Sequence, residues 1–157
     1  MAATHNCSTR IVINGRLDVA LAARANGVHL GGDALPVADV ASWCAQHAAE
    51  ITSPFLLGAS CHSLADAQAA ERDGANYIYF GPVFATPSKL QYGPAQGVVR
   101  LQEICRAVRI PVLAIGGITL DNAQECLHAG AAGIAAIRLF QESEDFEKAV
   151  AGLRQES

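Results

Sequence analysis

Six short apolar runs, separated by longer amphipathic segments, constrain the fold of this chain more than any other feature. The runs occupy residues 11–13, 27–30, 55–60, 77–80, 112–115 and 133–137. They do not alternate polar with apolar residues, so they read as strands buried on both faces, as in a parallel sheet covered by helices. The segments between them are rich in alanine. In residues 62–73, Leu64, Ala67 and Ala70 share one helical stripe, and Asp66, Glu71 and Arg72 lie off it. Residues 98–108 and 121–129 read the same way. Each crossover is long enough for a helix, which parallel pairing of successive strands requires.

A junction recurs as well. Asn26-Gly27-Val28, Asp73-Gly74-Ala75 and Ala129-Gly130-Ala131 each place a glycine where a helix gives way to a strand, and glycine accepts the left-handed conformation that stops a helix. This marks a repeated β/α unit, present about six times. A closed eight-unit barrel usually needs roughly 200 residues or more, and the chain has 157. A doubly wound open sheet also fits that length, and the runs alone do not choose between the two. Residues 85–97, rich in proline and glycine, form the longest loop after a strand, where such folds carry function.

Composition narrows the function classes. Hydrophobic residues make up 51% and aromatics only 6%, so the core is built from aliphatic layers in a single domain, residues 1–157. The net charge of -4 supplies no basic excess for nucleic acid. No run of about 18 apolar residues suggests a membrane helix, and the first residues show no apolar leader. The five cysteines, Cys7, Cys44, Cys61, Cys105 and Cys126, include no C-x-x-C pair. Reduced thiols in a cytoplasmic protein are the expectation.

Several residues point to an anion site. Gly116-Gly117 follows a strand and precedes Thr119 and Asp121, which have the character of helix caps; glycine there lets backbone N–H groups approach a phosphate. Ala136-Ile137-Arg138 ends the next strand, and in a barrel the loops after the last two strands commonly bind phosphate. Ile137 and Arg138 therefore join Gly116 and Gly117 as candidates. Lys89 stands in the long loop beside Thr86 and Ser88, while Lys148 lies in a charged C-terminal segment. Ser60 ends a strand before Cys61 and His62, but no G-x-S-x-G elbow surrounds it, which argues against a serine hydrolase. His29, in Gly27-Val28-His29-Leu30, reads as a core or hydrogen-bonded histidine.

Together, IVINGRLDVALA (residues 11–22), GVHLGG (27–32), GASCH (58–62), GPVFATPSK (81–89), AIGGIT (114–119) and AGAAGIAAI (129–137) resemble the thiamine-phosphate synthase/TenI family over nearly the whole chain. The resemblance implies a (β/α) TIM-type barrel, incomplete here, with about six β/α units and the first two family units missing. The chain is then a fragment or a shortened form, and no counterpart exists for a strand bearing Gln-x-Arg-x-Lys. Two open sheet edges imply a homo-oligomer. Residues 1–10 folding into the gap are the alternative.

The resemblance also implies the reaction. A thiazole phosphate is joined to a pyrimidine pyrophosphate, and pyrophosphate leaves. Ser60 and Lys89 are the implied catalytic residues. Ser60 would contact the pyrimidine, Thr86 and Lys89 the pyrophosphate, and Asn14, Gly116, Gly117, Ile137 and Arg138 complete the binding set. Arg138 stands where family members usually carry serine. Mg2+ is the implied cofactor, held by two aspartates in the family; Gly15 and Ala34 occupy those positions here, leaving Asp33 as a weak candidate ligand. The histidine of the TenI-type thiazole tautomerase is replaced by Pro82. A non-catalytic TenI-like module that binds thiazole or thiamine phosphate is the second expectation.

Overall fold

The apolar runs form six strands, β1 (Val12–Asn14), β2 (Gly27–Leu30), β3 (Leu56–Cys61), β4 (Tyr77–Phe80), β5 (Val112–Ile115) and β6 (Gly133–Ala135). The computed structural model describes residues 9–51, 54–86, 94–145, 147, 150, 151 and 153. Helices α1 (Leu17–Ala22), α2 (Val37–Gln46), α3 (Leu64–Arg72), α4 (Gly97–Ala107) and α5 (Leu120–His128) follow the first five strands in turn, and α6 (Arg138–Gln141) follows β6.

All strand pairs are parallel, and the sheet runs in the order β1-β2-β3-β4-β5-β6. A doubly wound sheet would reverse its order at a switch point. Here each strand is laid beside its predecessor in one direction, which is barrel order, so the open-sheet alternative falls. Among the described residues β1 and β6 are the sheet edges.

The core divides in two. Val28, Leu30 and Leu57 pack with Ala20, Ala25 and Val40 around α1 and α2. Ala59, Ile78, Phe80, Val112 and Ala114 pack with Ala67, Leu101, Ile104 and Cys126 around α3, α4 and α5. Ile78 and Phe80 are fully buried; truncating either to Ala would cost about 2–5 kcal/mol. Small alanines on the helices let them sit close to the strands. The opposite sheet face carries His29, Gly58, Ser60, Tyr77 and Tyr79, the residues between the core-facing positions.

Two expectations are corrected. The repeated helix stop is not at Gly27 in the first unit. Gly74 and Gly130 take φ +97° and +99°, and the corresponding left-handed residue is Arg24 at φ +49°. Its N–H bonds Leu21 O, as those of Gly74 and Gly130 bond Glu71 O and Leu127 O. The repeat is real, but its first copy lies three residues upstream. The strand expected over 133–137 stops at Ala135, and Arg138 opens α6 rather than ending β6. No helix among the described residues is long and apolar enough to cross a membrane.

Candidate phosphate-binding site

The turn after β5 is built for close approach. Gly116 and Gly117 have φ +97° and +66°; a Cβ on Gly116 would meet Pro82 Cα at 2.6 Å, and one on Gly117 would meet Ala85 O at 2.7 Å. The loop after β4 therefore lies directly on the glycine pair. Phe84 N–H donates to Gly116 O at 3.0 Å and Val83 N–H to Ile115 O at 2.9 Å. Behind the turn, Thr119 N-caps α5. Its N–H donates to Asn122 Oδ1 at 2.8 Å, and Asn122 Nδ2 donates to Gly117 O at 3.0 Å. Asn122, not Asp121, is thus the side chain that fixes this helix start. The three-residue spacing from Thr119 was its signal.

Thr86 and Arg138 meet across this turn. Thr86 is only 7% exposed although it lies in the loop that follows β4. Arg138 Nη2 donates to its Oγ1 at 2.8 Å. A cavity of about 580 Å³ opens between them, lined by Thr86, Gly116, Gly117, Thr119, Ile137 and Arg138 among others. Glu142 is the carboxylate among its lining residues. Ile137 is 66% exposed at the rim. The cavity joins a glycine turn, a helix start and a guanidinium at the C-terminal strand ends, the combination that holds a phosphate.

The other expected residues are distributed unevenly. Lys89 lies outside the described residues, as do Ser88 and Lys148. Ser60 is half-buried at the end of β3, and its Oγ is 2.9 Å from His29 Nε2. Cys61 beside it belongs to the core, and burial, reinforced by the Asp66 charge, pushes its thiol up to about 12; it is not a nucleophile. His62 Nδ1–H donates to Gly81 O at 2.5 Å, and Gln96 Nε2 donates to His62 O at 2.8 Å. His62 is thus a strut of the loop after β4. The cap of α3 is Ser63, which accepts from Asp66 N–H.

Asn14 and Asp33 stand on the opposite side. Asn14 is exposed at the end of β1, and Asp33 is exposed in the turn after β2. Asp18, near Gly15, is gripped by Arg16 at 2.8 Å through Nε and 2.5 Å through Nη2. That hydrogen bond, foremost, lowers its pKa to about 2. No group of three His, Cys, Asp or Glu side chains among the described residues is placed to hold a metal ion. Sequence reasoning missed Asn122, Glu142, Tyr77 and Tyr79. No motif marks the two tyrosines, since their role depends on which strand lies beside which.

Comparison with known proteins gives the family and the fold. The profile of the family described as thiamine monophosphate synthase matches residues 1–140. A thiamine-phosphate synthase of Methanocella arvoryzae is 44% identical over 144 residues, 91% of this chain and 64% of that protein. One of Methanoculleus marisnigri is 43% identical over 152 residues, 96% of this chain and 68% of that protein. The chain therefore spans about two thirds or less of the length of such relatives. The solved thiamine phosphate pyrophosphorylase of Pyrococcus furiosus superposes with a TM-score of 0.78 at 40% identity, covering 92% of this chain and 65% of that one. A 3-hexulose-6-phosphate synthase structure, at 20% identity and a TM-score of 0.65, shares the fold.

Proposed function

The chain belongs to the thiamine monophosphate synthase family, and on that premise we propose that its cavity holds the phosphate of a thiazole phosphate, the nucleophile in thiamine-phosphate synthesis. The observation that carries this reading is the convergence of Gly116-Gly117, buried Thr86 and Arg138 on one cavity. Backbone N–H groups at a helix start and a planar guanidinium both suit a phosphate dianion.

In the reaction served, the thiazole nitrogen attacks the methylene carbon of the pyrimidine pyrophosphate. A C–N bond forms, the C–O bond breaks, and pyrophosphate leaves with the electron pair. Gly116, Gly117, Thr86, Ile137 and Arg138 anchor the thiazole phosphate. Ser60 faces the pyrimidine, and Lys89 supports the departing pyrophosphate. Asn14 completes the rim on the β1 side. Soluble small-molecule substrates in the cytoplasm fit this reading, and the two open sheet edges favour assembly with further copies.

Mg2+ does not fit the residues present. Gly15 and Ala34 offer no side-chain oxygen, Asp18 is committed to Arg16, and Asp33 alone would supply one carboxylate where a hard divalent cation takes several oxygens. This favours a second reading, a phosphate-binding module of TenI type with little transferase activity.

The two readings separate in a pyrophosphate-release assay with thiazole phosphate, pyrimidine pyrophosphate and Mg2+. We expect this chain to release pyrophosphate no faster than the protein-free control. Fast release that Lys89→Ala abolishes would show that carboxylates at positions 15 and 34 are dispensable, and the second reading would fall.

A further inference from the structure

Ser60 is oriented from the interior of the sheet. Strand register sets His29, Gly58 and Tyr77 abreast on β2, β3 and β4. Gly58 has no side chain, and a Cβ there would overlap the Tyr77 ring. The tyrosine therefore lies across Gly58 and brings its hydroxyl to His29 Nδ1 at 3.3 Å. Tyr79 stacks on the same imidazole with ring centroids 4.2 Å apart. One layer nearer the site, His29 Nε2 lies 2.9 Å from Ser60 Oγ. His29 is 6% exposed and Tyr77 9%, so these contacts operate away from bulk water, where a hydrogen bond is stronger and an unmade one costlier.

One tautomer of His29 links these groups in a single direction. Burial first, then the charge and hydrogen bond of Tyr79, hold the Tyr77 phenol above its usual range. Tyr77 therefore keeps its single proton, and Tyr79, whose ring centroid lies 5.5 Å away, is the neighbour to which it can be given. The Tyr77 oxygen can then accept from His29 Nδ1–H in the Nδ1-protonated tautomer. A neutral imidazole protonated on Nδ1 presents a lone pair on Nε2, which takes the Ser60 O–H. The donors then run Ser60 to His29 to Tyr77 to Tyr79. With its proton committed inward, the Ser60 oxygen turns its lone pairs outward.

We propose that His29 is a positioning residue that acts through Ser60, fixing that hydroxyl as an acceptor for an N–H donor on the ring of a bound heterocycle. This rests on the reading of the site as one that takes a heterocyclic phosphate. His29 itself touches no ligand in this account. Gly58 and Tyr77 are the parts of the sequence that make the arrangement possible.

Two measurements on the full chain test it separately. Nitrogen-15 NMR of the histidine rings in the free protein is expected to show His29 protonated on Nδ1. Its Nε2 resonance should move on Ser60→Ala, and Tyr77→Phe should redistribute the tautomers. Protonation on Nε2, or an Nε2 resonance indifferent to Ser60→Ala, overturns the relay. Calorimetric titration with pyrimidine pyrophosphate supplies the second readout. His29→Leu is expected to weaken binding about fivefold or more, one hydrogen bond's worth. His29→Gln, whose carbonyl oxygen can accept from Ser60, should recover most of the loss. Equal affinities for wild type and a folded His29→Leu variant overturn the proposal. No binding of pyrimidine pyrophosphate by wild type overturns the ligand step whatever the tautomer, whereas the functional reading falls only if thiazole phosphate also fails to bind.

Discussion

The two sides of the strand-end face have different chemistry. On the β4–β6 side, Gly116 and Gly117 are pressed against the loop after β4, Thr86 is buried, and Arg138 reaches across to it. On the β1–β2 side, Gly15 has open space around it, Asn14 and Asp33 are exposed, and Asp18 is tied to Arg16. One side is densely packed and carries the exposed Arg138 guanidinium bonded to Thr86. The other has lost the carboxylates that the family resemblance places there. On the proposed reading, the side that would hold the anion and the side that would hold a metal are therefore distinct in this chain.

The contrast is sharpest at the glycines. Gly117→Val forces a β-branched side chain to φ +66° with backbone oxygen of Ala85 only 2.7 Å from its Cβ. We expect a loss of about 2–5 kcal/mol in urea denaturation, together with loss of phosphate binding. Gly15→Ala has nothing within 4 Å and should cost only about 1–2 kcal/mol, the left-handed backbone strain alone. Similar losses at both positions would erase the distinction.

Restoring the missing carboxylates gives a smaller but more specific effect. Gly15→Asp with Ala34→Asp is expected to make binding of inorganic pyrophosphate respond to Mg2+, by about tenfold or 1.4 kcal/mol. Aspartate tolerates the left-handed backbone at position 15 better than most residues. The wild type should change by less than about twofold, roughly 0.4 kcal/mol. A wild-type chain already strengthened tenfold by Mg2+ would mean that the β1–β2 side still holds the cation.

Much of this was legible in the sequence, and the exceptions have physical causes. The six apolar runs and the Gly74 and Gly130 stops gave the β/α repeat, because burial and left-handed φ leave local signatures. Arg24 hid its copy of the stop, since a non-glycine residue there carries no such mark. Gly116, Gly117, Thr86 and Arg138 were each visible, but the bond between Arg138 and Thr86 spans 52 positions and depends on strand order. The interior relay of Ser60, His29 and Tyr77 was hidden for the same reason. Gly58 looked like an ordinary small residue in an apolar run until the register set it between His29 and Tyr77.

The most direct test is calorimetric titration of this chain with thiazole phosphate, with and without EDTA, for wild type and Arg138→Ala. The account predicts saturable binding that EDTA does not change. In Arg138→Ala that binding should weaken about tenfold or more, the loss of a charge-assisted hydrogen bond. Binding that EDTA abolishes, or that survives Arg138→Ala unchanged, would contradict it.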